Sequence, residues 1–264
     1  MPHIQTPIGK LNYVVEGVGP AALLLHPIGT DLTYWDAVSE ALARQYRVLR
    51  IDAPGHGDSE DMPSNASMHD CAEAIHVVQH STGAVPARVI GLSLGGMFAQ
   101  QLALDFPSDV EALLLVGTTS SVAPERRQVM LTRGEKIVAE GMESMVEESV
   151  ARWVSPDGQD SVLAERVRAG LRAISPRNWA NTWRVMADFD ALSRLDQLRV
   201  PTLVMNGTAD ASTPPSVGAV TAAAIPGARQ IAITDGAHFF PFEHPERFLP
   251  RTLEFLASIQ TNHR

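Results

Sequence analysis

Ser93, in Gly91-Leu92-Ser93-Leu94-Gly95-Gly96, is the residue of this chain best suited to covalent chemistry. A serine hydroxyl is a weak nucleophile until a neighbouring base takes its proton. The pattern G-x-S-x-G sets a serine on a turn so tight that only small residues fit beside it. Arg88-Val89-Ile90 reads as a strand entering the turn and Leu94 onward as a helix leaving it, the context this motif requires. Such a turn lifts Oγ above the C-terminal edge of a sheet. It also sets the serine against a helix N-terminus, whose N–H groups and partial positive charge favour a developing oxyanion. The chemistry indicated is acyl transfer through a covalent intermediate.

A serine needs a base, and the chain has nine histidines. Behind a nucleophile elbow the triad runs nucleophile, acid, base along the chain. His238 fits, in the loop Thr234-Asp235-Gly236-Ala237-His238 after the apolar run Ile231-Ala232-Ile233. His244 competes, but beside Pro245 at the start of the last helix a surface role is more natural. The acid expected is Asp210, on a loop after Leu203–Asn206, where it would hold the imidazole tautomer and stabilise the imidazolium. The other reading of Asp210 is a turn or cap residue before Thr213-Pro214. Asp235 is nearer to His238 in sequence but poorly placed within the same loop. The oxyanion would be held by the backbone N–H groups of Leu94 and, in His26-Pro27-Ile28-Gly29, of Ile28. His26 reads as structural, bonding loop backbone. Asp52 through Ser59 reads as a turn-forming scaffold, since His56 and Asp58 have no third ligand at useful spacing. The spacings give no zinc pattern, no phosphate loop and no cofactor.

These residues must be held by a parallel sheet. Leu11–Val15, Ala21–Leu25, Tyr46–Ile51, Arg88–Gly91, Glu111–Gly117, Val200–Asn206 and Ala228–Ile233 read as strands. Helical segments alternate with them: Trp35–Arg44, Met68–His80, Leu94–Phe106, Pro214–Ala224 (opened by Thr213) and Pro245–Ile259. Continuous apolar strands between helices imply an α/β fold with a mostly parallel sheet covered on both faces. The alternation lapses after Thr118. Residues 120–190 carry helical runs and no convincing strand, one of them opened by Ser175-Pro176 as N-cap and first residue. The organisation expected is a core of residues 1–119 and 191–264 with a helical lid, 120–190, inserted in it.

The bulk composition narrows the function. The 264 residues carry a formal charge of −9, which disfavours nucleic acid as a partner. The longest apolar run is too short to span a membrane, and the N-terminus lacks a signal-peptide pattern, so a cytoplasmic protein is expected. The single cysteine, Cys71, allows no intrachain disulfide and reads as a buried apolar residue. Ten of the 21 basic residues fall in the lid segment. An arginine there, such as Arg133 or Arg177, could meet an anionic substrate, or these arginines could be solvated or paired with the lid's glutamates. Oligomeric state is not readable from these features.

With these motifs assembled, the chain resembles the α/β-hydrolase superfamily along nearly its whole length. Within it, the chain is similar to bacterial 3-oxoadipate enol-lactonases. The resemblance rests on Gly29-Thr30-Asp31 with Trp35-Asp36, on Gly55-His56-Gly57-Asp58-Ser59, on Gly91 through Gly96, on Pro201-Thr202-Leu203-Val204, on Gly207 through Asp210 with Thr213-Pro214-Pro215, and on Ala237-His238. It implies a Ser-His-Asp hydrolase acting on a small ester or lactone, with the lid forming most of the pocket. Esterases and cofactor-free perhydrolases share the same motifs, and some proteins of this fold act as ligand receptors. Trp153, Trp179, Arg133 and Phe239 are the pocket candidates. The chain departs from the lactonases at His26-Pro27, where they carry a small polar residue, and at Phe239-Phe240-Pro241-Phe242, where they have smaller ones. Those aromatics would either line an apolar acyl pocket or anchor the last helix.

Overall fold

The apolar runs of the sequence become the interior of one eight-stranded sheet in the computed structural model, which describes residues 2–259. The strands are β1 (His3–Thr6), β2 (Gly9–Glu16), β3 (Ala21–Leu25), β4 (Arg47–Ile51), β5 (Ala87–Leu92), β6 (Val110–Val116), β7 (Thr202–Gly207) and β8 (Arg229–Ile233). Their order is β1-β2-β4-β3-β5-β6-β7-β8. β1 and β2 pair antiparallel at one edge, β2 pairs antiparallel with β4, and every later pairing is parallel. β5 is buried along its whole length, as a strand covered on both faces must be.

Among the described residues, ten helices lie between or after the strands: α1 (Asp36–Leu42), α2 (Met68–Ser81), α3 (Leu94–Asp105), α4 (Pro124–Glu140), α5 (Val146–Trp153), α6 (Val162–Ala173), α7 (Pro176–Ala187), α8 (Pro215–Ala224), α9 (Phe240–Glu243) and α10 (Pro245–Ala257). α1 packs on α10, while α2 packs on α3, and these two groups cover the faces of the sheet. The strand order reverses at β3, which pairs with β4 on one side and with β5 on the other, so the chain steps outward from β3 to β4 and then crosses back to β5. At such a switch point the loops leaving the two strands diverge and open a crevice at their carboxyl ends. Ser93 follows β5 and Ile28 follows β3, so both stand at that crevice.

Three local expectations differ from the structure. The helix expected from Trp35 begins as a 3₁₀ turn over Leu32–Trp35, where the Asp31 carboxylate accepts from Thr33 N at 2.8 Å and caps it. The helix expected to be opened by Thr213 is preceded instead by Pro214, because the Thr213 hydroxyl is engaged elsewhere. Strand β1 was outside the expected set: with four residues at an edge it is too short to show a period.

Between β6 and β7 the chain forms the helices α4 to α7, and Ser121 and Asp190 pair as an isolated antiparallel bridge where this excursion leaves and rejoins the sheet. Ser175 caps α7 through Asn178 N, with Pro176 at the first position, as expected. The insertion is fastened to the rest at several points. The Arg166 guanidinium lies 3.9 Å from the centre of the Tyr34 ring and also contacts Thr33 and Asp31. Asn178 accepts from Met62 N at 3.1 Å and donates to Asp61. Trp153 O accepts from Phe239 N at 2.8 Å.

Candidate active site

Backbone sterics at the elbow are severe. Ser93 has φ 54° and ψ −114°, a conformation L residues rarely adopt, which the flanking structure holds in place. A Cβ on Gly95 would lie 2.1 Å from Leu25 O, so no larger residue fits between α3 and the end of β3. Ser93 N donates to Val116 O at 2.9 Å, and the Thr118 hydroxyl donates to Ser93 O at 2.7 Å. As the first residue of α3, Leu94 presents an amide that has no intrahelical acceptor. The parallel pairing of Leu25 with Gly91 sets the loop carrying Ile28 beside it.

Asp210 and His238 come from adjacent strand ends. Thr208 N donates to Ile233 O at 2.9 Å and Ala209 N to Gly236 O at 3.0 Å, so the loops after β7 and β8 are laced together. A side chain at Gly207 would collide with Gly236 O, 2.0 Å from an added Cβ. His238 Nδ1 donates to Asp210 Oδ2 at 2.8 Å, with both side chains almost wholly buried. Asp210 Oδ2 also accepts from the Thr213 hydroxyl at 2.8 Å, and Oδ1 accepts from Ser212 N at 2.8 Å and Thr213 N at 2.9 Å. Burial by itself would push this carboxyl up. The adjacent His238 and the bonds from His238 and Thr213 outweigh it and hold Asp210 below the usual carboxylate range. With Nδ1–H committed to Asp210, His238 keeps Nε2 as its acceptor.

Both alternatives lie elsewhere. His244 sits 3.4 Å from Glu246 at the surface. Asp235 occupies an exposed turn at φ 56°, its amide bonded to Thr208 Oγ1. The cap reading of Asp210 is also partly right, since its Oδ1 gathers the Ser212 and Thr213 amides while its Oδ2 faces the imidazole.

His26 is structural, as expected: Nδ1 donates to Pro27 O at 2.8 Å and Nε2 accepts from Ala53 N at 2.9 Å. In the Asp52–Ser59 turn, Asp52 accepts from Leu32 N, Asn12 Nδ2 and Asp58 N, binding three segments together. Burial, and then the neighbouring His26, lower His56 to about 3. These are scaffold contacts.

Ser93 and His238 open into one cavity of about 240 Å³ between the sheet edge and the helical insertion, and Ile28 lines it too. Arg133 and Trp153 also line its wall. Trp179 and Phe239 do not. Trp179 is fully buried behind Trp153, with ring centres 6.4 Å apart, and Trp183 takes the place at the wall. Phe239 stacks between Trp153, at 5.2 Å, and His238, at 5.7 Å, so it backs the imidazole from behind. Phe240 packs on Phe248, and Phe242 packs on Trp35 and Tyr34, so the aromatic run anchors the start of α9 and α10. Arg177 is exposed and away from the cavity. The sequence reading missed Arg126 and Arg152, which both line it. Glu148 and Arg152 stand four apart on α5, a spacing that signals a shared helix face.

The α/β-hydrolase-fold family matches residues 20–245. The chain belongs to that family. It is 27% identical over 243 residues to 3-oxoadipate enol-lactonase 1 of Acinetobacter baylyi, covering 91% of this chain and 90% of the relative. A solved hydrolase from Pseudomonas aeruginosa superposes with a TM-score of 0.92 at 32% identity, covering 97% of this chain and 98% of that one. The enol-lactonase from Burkholderia xenovorans superposes with a TM-score of 0.91 at 25% identity, covering 97% and 100%. Enol-lactonase resemblance and hydrolase character therefore rest on nearly the whole chain. Among the described residues, no helix is long and apolar enough to cross a membrane.

Proposed function

We propose that this α/β-hydrolase cleaves a small carboxylic ester or lactone through an acyl-enzyme on Ser93. The observation that carries the reading is His238, bonded to the buried Asp210, opening with Ser93 into one cavity. His238 Nε2 takes the Ser93 proton as Oγ bonds to the carbonyl carbon. The Leu94 and Ile28 amides hold the oxyanion, and losing one such donor costs about 3–4 kcal/mol of transition-state stabilisation. Collapse breaks the C–O bond, and His238 returns the proton to the leaving alkoxide. Water, deprotonated by His238, then releases the acid and restores Ser93. The segment 120–190 acts as a lid that supplies most of the cavity wall and keeps solvent away.

The charge of the wall favours an anionic substrate. Arg126, Arg133 and Arg152 line the cavity against one carboxylate, Glu148. Glu148 Oε1 pairs with Arg133 and Arg152 together, while Arg126 has no ion pair among the described residues. A substrate carboxylate beside Arg126 would be met by a charge-assisted bond.

Proton release in a pH-stat, on lactones and linear esters with and without a free carboxylate, tests this. Ser93→Ala should lower kcat by about 10⁴-fold or more. Arg126→Ala should raise KM for carboxylated substrates by about tenfold and leave neutral ones alone. Serine-independent turnover would refute the mechanism, and equal effects on both substrate sets would refute the anion preference. Turnover of linear esters alone would favour a general carboxylesterase. Formation of a peracid and water from a carboxylic acid and hydrogen peroxide would favour a perhydrolase, and ligand binding without turnover a receptor.

A further inference from the structure

At the opposite end of the sheet from Ser93, the fold gathers two histidines and a carboxylate. His76 and His80 stand four residues apart on α2, so both rings leave the same face. Asp109, in the 3₁₀ turn before β6, reaches them from outside that helix. Its Oδ2 lies 3.2 Å from His76 Nδ1 and 2.9 Å from His80 Nε2, and one ligand atom from each residue falls within 4.8 Å of the other two. We propose that His76, His80 and Asp109 form a site for a divalent metal ion of the zinc class, with water completing its shell.

The donor set suits such an ion: two imidazoles and a carboxylate, with an open side at His80, whose side chain is 49% exposed. Ligand bonds of about 2.0–2.2 Å in a tetrahedron put donor atoms about 3.4 Å apart. The two contacts to Asp109, at 3.2 and 2.9 Å, are already within about half an ångström of that. His76 Nδ1 is buried and makes no hydrogen bond among the described residues, despite lying beside a carboxylate. A cation between the two groups would satisfy both.

The supporting shell is also in place. Ser108 Oγ donates to Asp109 Oδ1 at 3.2 Å, and Gln79 Nε2 donates to Asp109 O at 2.8 Å. The His76 ring stacks on Phe106, 3.8 Å away and nearly parallel. Such contacts fix the orientation of ligands before a metal arrives. The neighbouring His69–Asp105 pair shows the contrast. There the Arg194 guanidinium lies 3.1 Å from Asp105 and already supplies the positive charge. Asp109 forms ion pairs only with the two histidines among the described residues.

β6 spans seven residues between this cluster and the catalytic edge, a distance of about 20 Å. The ion would therefore clamp α2 to the turn before β6 and stay clear of the reacting atoms. The untagged full chain, stripped of metal, should bind one equivalent of Zn2+ by calorimetry, and Co2+ should give the visible absorption of nitrogen and oxygen ligation. Zn2+ should raise Tm, because the site exists only in the folded chain. His80→Ala and Asp109→Asn should each weaken Zn2+ binding by about tenfold or more and remove the Tm rise. Ser93-dependent hydrolysis should be unchanged in both. Since His80 is half exposed and Asp109→Asn is isosteric, at least one variant should fold. No Zn2+ binding by the wild type up to about 1 mM, or unchanged affinity in the folded variants, would overturn the site.

Discussion

Replacing Asp210 by Asn tests the site with almost no change of shape. Oδ1 accepts from two backbone amides, Ser212 N and Thr213 N, so the carbonyl oxygen of the new amide must stay there. Its NH2 then falls where Oδ2 stood, facing His238 Nδ1 at 2.8 Å. Two donors cannot share that contact. The imidazole must turn its Nδ1 lone pair to the amide and carry its hydrogen on Nε2, the nitrogen that should accept from Ser93. The Thr213 hydroxyl, which donates to Oδ2 at 2.8 Å, has to rotate and accept instead. Wrong-tautomer substitutions of this kind in serine hydrolases lower kcat by about 10⁴, equivalent to about 5 kcal/mol of barrier. Thr213→Val removes one neutral hydrogen bond and leaves the tautomer intact. It should cost about tenfold, from about 1–1.5 kcal/mol. Initial rates on a chromogenic acetate ester, with circular dichroism to establish folding, separate the two. An Asp210→Asn enzyme within tenfold of wild type, or one no slower than Thr213→Val, would refute the assignment of Asp210 as the orienting acid.

Two further expectations concern buried groups. His56, held near pKa 3 by burial and by His26, stays neutral in the folded chain while the unfolded chain protonates near 6.5. The unfolded state binds the extra proton, so folding stability falls as pH drops from about 6.5 toward 3, by up to about 1.4 kcal/mol per unit. His56→Gln should flatten the dependence of urea midpoint on pH between 7 and 4, and an unchanged slope would disprove it. Burial pushes the Cys71 thiol up to about 12, so at pH 8 it should resist a disulfide reagent until the chain is unfolded. Rapid labelling of the folded protein would contradict its buried position.

Much of this molecule is legible without coordinates. Ser93, His238 and Asp210 follow from local pattern and chain order. A strand–turn–helix is a local steric unit, and a parallel sheet brings the loops after successive strands to the same edge. The central strands are equally plain, because burial on both faces demands an unbroken apolar run. The aromatic run after His238 shows where pattern stops. Its sequence allows a pocket wall or an anchor. Packing makes it an anchor, with Phe239 between Trp153 and the imidazole and Phe242 on Trp35.

What the sequence by itself determined is therefore the set of candidate reacting residues and the α/β order that carries them, since both depend on contacts between near neighbours or on a repeating period. The tertiary structure alone decided which side chains face the cavity. α5 turns Arg152 and Trp153 to the wall, α7 turns Trp183 there and buries Trp179, and Arg177 is left outside. A helix offers several faces, and only docking against the sheet selects one. The same holds at the far edge, where His76 and His80 announce a pair but Asp109, 29 residues beyond His80, joins them only because the turn before β6 packs against α2.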